Sequence, residues 1–111
     1  MKPIIVGCGH TKFGRHENLD LEDLIQSAVG EAIASAGIEP AAIDAMWLGH
    51  FNSGLVPDGF CSSMVVGADP ALRFKPAVRC ENAYASGSAA LYSAMDAIRA
   101  GRGKEIGRAH V

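Results

Sequence analysis

Apolar residues recur along this chain in two rhythms. Leu21, Leu24, Ile25, Ala28, Val29, Ala32, Ile33 and Ala36 follow helical spacing, with Gln26, Ser27, Gly30, Glu31 and Ser35 between them, so one face of a helix is apolar and the other polar. Asp20 is a good N-cap, Glu22 and Asp23 suit the first turn, Gly37 fits the position just past the end, and Pro40 blocks continuation. An amphipathic outer helix covering one side of a sheet is predicted there. Short continuous apolar runs at 3–7, 45–50 and 77–81 read instead as buried strands. Strand, helix, strand in that order makes a parallel, right-handed βαβ unit. Asp58 can cap a short helix carrying Phe60, Cys61, Met64 and Val65, ended by Gly67, Asp69 and Pro70. The run 85–100 is small or apolar nearly all round, with charge only at Asp96 and Arg99. A helix with no polar face is a buried helix. The class is therefore α/β, with three strands and two main helices.

Composition narrows the function classes. The chain has 111 residues and a net charge of −2, enough for one modest core at most. Acidic and basic residues are interspersed, so neither a nucleic-acid stripe nor a polybasic membrane segment is expected. No apolar run is long enough to span a bilayer, and residues 3–6 are too short for a signal peptide. Three cysteines without CxxC spacing argue against a disulfide framework or a structural zinc site. A reduced, cytoplasmic globular protein is the expectation.

Three small motifs deserve weighing. Gly7-Cys8-Gly9 invites a dinucleotide-loop reading, but Lys12 stands where the third glycine belongs and no helix opens directly afterwards. Cys8 and His10 lack a second ligand pair, so turn and core roles are preferred over a metal site. His50 and Asn52 follow a strand, where open α/β sheets gather ligands. They read as a half-buried His and a turn Asn, with a pocket-lining pair as the functional alternative.

The stretch with the most chemistry is 79–91, which reads as a buried strand, a tight turn and the head of the small-residue helix. The first turn of such a helix points free N–H groups and the positive dipole end inward, a geometry that suits an anion, a thiolate or an oxyanion. Glu81-Asn82-Ala83 and Ala85-Ser86-Gly87-Ser88-Ala89-Ala90 resemble the nucleophile segment of the thiolase family. The similarity is to acetyl-CoA acetyltransferases of the sterol-carrier-protein thiolase type. Their pattern has a cysteine where this chain has Tyr84. The resemblance continues through Ile5-Val6-Gly7, His10 to Gly14, Ala36 to Pro40, Leu48 to Asn52 and Arg73 to Ala77, in order.

The resemblance implies the N-terminal part of a thiolase-like layered αβαβα fold over residues 1–104. It implies acyl transfer on coenzyme A thioesters through a covalent acyl-enzyme, with acyl-CoA as partner and no bound cofactor or metal. It further implies a homodimer contact near 78–81, where an open strand edge needs cover. Tyr84 at the nucleophile position departs from that chemistry. A phenol keeps its proton at neutral pH, is bulkier, and would fill the space an acyl group needs. Cys80 lies on the strand and reads as a core residue. Ser86 and Ser88 read as capping or packing residues, since no base is in evidence. Cys and Tyr codons can differ by one base, so a read error, an inactive variant and a noncatalytic acyl-CoA-binding or scaffolding homologue all stay open. The family's later histidine and second cysteine have no counterpart here. Residues 105–111 lack periodicity and resemble a translated sequencing adapter, so they are set aside as a non-native tail and His110 is given no catalytic role. Standing alone, the 85–100 helix is expected to leave apolar surface uncovered.

Overall fold

The structure, a computed structural model, describes residues 2–52 and 54–110, the side chains of 108–110 excepted. It holds helix α1 (Leu21–Ala36), strand β1 (Ala45–Gly49), strand β2 (Ala77–Cys80), helix α2 (Ser86–Arg99) and strand β3 (Ile106–His110), with short 3-10 turns at Pro40–Ala42, Ser62–Ala68 and Pro70–Leu72. The sheet order is β2-β1-β3. Both pairings are parallel, with Trp47 opposite Val78 on one side and Arg108 on the other.

Alternation along β1 separates two layers. Met46 and Leu48, each 1% exposed, point into a cluster with Leu21, Ile25, Ile43, Cys61, Val65 and Leu72. Gly49 has the opposite parity, and a Cβ there would lie 2.6 Å from the Ser86 carbonyl oxygen of α2. The α1 layer and the α2 layer thus cover opposite faces. The connectivity requires this. The chain steps from β1 to β2 in one direction and from β2 back across β1 to β3 in the other, so two right-handed crossovers must use opposite faces.

α1 has the predicted ends. Asp20 and Asp23 form a reciprocal capping box, and Gly37 closes the helix at φ 66°. The segment 58–68 differs from expectation: Asp58 does not cap it, and the turn at Ser62–Ala68 is 3-10 without a side-chain cap. Asp69 instead accepts a bond from Ala71 N–H at 2.8 Å and starts the next turn.

Two expectations for the sheet are corrected. Residues 3–7 are not a strand, and Ile4, Ile5 and Val6 are 60–79% exposed. This run lies along α1, where Cys8 N–H donates to Ser35 Oγ at 3.3 Å. Its glycines are explained by that path. A Cβ on Gly7 would come within 2.5 Å of Ala36 N, and one on Gly9 within 2.2 Å of Ala28 O. The third strand is instead β3, from the run set aside from fold reasoning as a tail without periodicity. Parallel pairing joins backbone to backbone, so it needs no side-chain periodicity. Asp44 anchors its start, accepting from Lys104 N–H at 2.8 Å and Glu105 N–H at 3.2 Å.

α2 is also not buried all round. Ser86, Gly87, Ala90, Ala94 and Ala97 are buried against the sheet, while Tyr92 is 63% exposed on the outer side. Among the described residues, no helix is long and apolar enough to cross a membrane.

Candidate functional site

The topology marks one place on the sheet. β1 and β2 are neighbours whose outgoing connections leave for opposite faces, and such a pair opens a crevice at its carboxyl ends. His50 and Phe51 follow β1 there, and residues 81–86 follow β2. The two segments are stitched together. His50 N–H donates to the Cys80 carbonyl at 3.0 Å, and Arg79 Nε donates to the His50 carbonyl at 3.2 Å. Arg79 also reaches the Gly59 carbonyl at 3.4 Å, holding down the loop after β1.

The turn between β2 and α2 is built by side chains. Ala83 has φ 46°, a left-handed conformation that a residue with a Cβ rarely adopts. The Glu81 carboxylate accepts from Ala83 N–H. Ser86, fully buried, accepts from Asn82 N–H at 2.9 Å and donates to the Ala83 carbonyl at 2.7 Å. Residue 84 is the next residue on, two before the first residue of α2.

Tyr84 is 97% exposed, and its ring meets Phe51 edge-on with centroids 6.0 Å apart. The turn directs it outward from the described residues. His50 is buried at 6% exposure. Asn52 acts as a loop staple: its Oδ1 accepts from Gly54 and Val56 N–H, and its Nδ2 donates to the Val56 carbonyl at 2.9 Å. The turn-Asn reading is therefore the one the geometry matches. Cys80 directs its sulfur toward Ser93 Oγ of α2, 3.9 Å away. Cys8 and His10 are elsewhere, Cys8 N–H donating to Ser35 Oγ at the end of α1 and His10 meeting Phe13 edge-on. No group of three metal-binding side chains occurs among the described residues.

Sequence reasoning put Glu81 and Phe51 inside motifs but gave neither a role at this place. Phe51 faces Tyr84 only because β1 and β2 are adjacent, a pairing with no local signal. Glu81 acts on the N–H two residues on, and an acidic residue before Asn-Ala is a weak signal on its own.

Comparison with known proteins agrees with this geometry. The model for the thiolase N-terminal domain matches residues 3–106. The acetyl-CoA acetyltransferase of Methanothermobacter thermautotrophicus is 35% identical over 97 residues, covering 87% of this chain and 25% of that protein. The acetyl-CoA acetyltransferase of Methanocaldococcus jannaschii is 34% identical over the same coverage. The chain thus spans about a quarter of the length of these curated relatives. In fold it resembles 3-oxoacyl-[acyl-carrier-protein] synthase III from Aquifex aeolicus, with a TM-score of 0.73 and 17% identity, over 92% of this chain and 34% of that one.

Proposed function

The chain belongs to the thiolase family, and on that premise we propose that it carries the nucleophile-position turn of an acyltransferase for acyl-CoA thioesters. The observation that carries the reading is the 81–86 turn. It sits at the crevice of the sheet and presents residue 84 just before the head of α2. In the acyltransferase chemistry, a thiolate at that point attacks the thioester carbonyl, coenzyme A leaves as its thiol, and the acyl group is held on sulfur. A carbanion of a second acyl-CoA, or coenzyme A itself, then takes it. A helix amino terminus favours the thiolate, and backbone N–H groups there can hold the oxyanion.

With Tyr84 in place, this chain does not form that thioester. The same residue favours a second reading, a noncatalytic acyl-CoA-binding or scaffolding protein with the same fold. In either case a second copy is the proposed cover for β2. That strand is an outer strand of the sheet, and Val78 is 47% exposed on it.

Intact-mass measurement after incubation with acetyl-CoA tests the reading. The unaltered chain is expected to stay unmodified at residue 84, and the Tyr84→Cys variant to gain one acetyl group there. A folded Tyr84→Cys that stays unacylated removes the acyltransfer reading. An acetyl ester on Tyr84 itself removes the binding-only reading.

A further inference from the structure

We infer that Ser86 is a positioning residue for whatever side chain occupies position 84, acting through the 81–82 and 83–84 peptides that flank Ala83 and independently of that side chain's chemistry. The inference rests on the acyltransferase-turn reading and specifies how the turn is set.

Three observations carry it. First, Ser86 is fully buried, yet both hydrogen-bonding capacities of its hydroxyl are used on the turn: it accepts from Asn82 N–H at 2.9 Å and donates to the Ala83 carbonyl at 2.7 Å. A buried hydroxyl that both donates and accepts fixes its partners more tightly than one that merely fills space. Second, the residue so held is Ala83, at φ 46°. That conformation costs free energy and persists where surrounding contacts over-determine it. Third, the clamp has a rigid back. Gly49 of β1 lies so close that a Cβ would sit 2.6 Å from the Ser86 carbonyl oxygen and 3.0 Å from Gly87 Cα. A line of contacts therefore runs from the sheet through Ser86 to Ala83 and ends at residue 84, whose side chain is 97% exposed. The Tyr84 ring is 97% exposed, so the backbone hydrogen bonds of the turn do not depend on it and a thiol placed there would inherit the same presentation. Ser88, exposed on the same helix, takes no part.

The test is made in a Tyr84→Cys background. Iodoacetamide alkylation is followed against pH and localised to residue 84 by peptide mass spectrometry. In that reaction the thiolate forms a carbon–sulfur bond, iodide leaves, and the thiol proton goes to solvent. Adding Ser86→Ala is expected to slow alkylation at neutral pH about 10-fold or more and to move the pH profile. Adding Ser88→Ala is expected to leave both unchanged. Equal rates and profiles for Ser86→Ala and its parent overturn the inference. Should Ser86→Ala not fold, the unaltered chain decides. Its Asn82 amide is expected to exchange at least about 10-fold slower than a free amide, and an unprotected Asn82 overturns the clamp. A Ser86-dependent thiol that acetyl-CoA leaves unacylated would defeat the acyltransferase reading while the positioning role stood. An acylated thiol indifferent to Ser86 would do the reverse.

Discussion

The two helices make an instructive pair. α1 is finished locally: a reciprocal capping box at one end, a left-handed glycine at the other, and large apolar side chains running into the Met46–Leu48 cluster. α2 has no side-chain cap at its start, and its buried face is Ser86, Gly87, Ala90, Ala94 and Ala97. One helix is held by volume and caps, the other by close approach of small residues to the sheet. The first arrangement makes a core, and the second brings a helix head and a sheet crevice close enough to share a turn.

Substitutions can break that contrast, beginning with the largest effect. Ile25→Ala empties a fully buried site in the α1 cluster and is expected to cost about 2–5 kcal/mol in denaturant unfolding. Gly49→Ala drives a Cβ against the Ser86 and Gly87 backbone. A loss of about 1–3 kcal/mol is expected, with amide exchange rising first in the opening turn of α2; faster exchange confined to α1 would contradict the assignment of faces. Asp20→Ala removes the capping box and should lower stability by about 1 kcal/mol. On the outer side of α2, Tyr92→Ala is expected to change stability by less than about 0.5 kcal/mol.

The junction between β1 and β3 adds a pH dependence. Backbone N–H groups of Lys104 and then Glu105 hold the Asp44 carboxyl below its ordinary value of 3.8, burial opposing, with smaller help from Lys75 and Lys104. A lowered folded value means the contribution is complete above that ordinary value and is lost as pH falls through the lower one. Protection at the start of β3, taken relative to a free amide at each pH, should therefore fall on acidification below about pH 4, and Asp44→Ala should remove that pH-dependent loss.

What the sequence makes legible is local. The spacing of Leu21 to Ala36, the Asp20 cap and Gly37 are all short-range signals, and α1 follows them. So do β1 and β2, read to within a residue of their ends, and the motif around residue 84 with the family it belongs to. What escapes is whatever depends on partners far along the chain. Residues 3–7 have the composition of a strand but lie along α1 instead of joining the sheet, and residues 106–110 take a ladder without that composition. The outward stance of Tyr84 comes from Ala83 in the left-handed region, which alanine does not advertise. The Gly7 and Gly9 pair looks like a ligand loop in sequence, and its physical reason is the passage of the chain over α1.

The strand order carries a consequence for biosynthesis. The central strand is the first of the three to leave the ribosome, and the strand on its second flank is the last. A nascent chain can pair β1 with β2 early, but the other side of β1 stays open until α2 has emerged and crossed over it. During that interval the growing polypeptide shows a half-dressed β1 to its surroundings, the kind of surface that chaperones engage. Slowing translation between codons 81 and 106 would lengthen that exposure and lower the yield of folded chain.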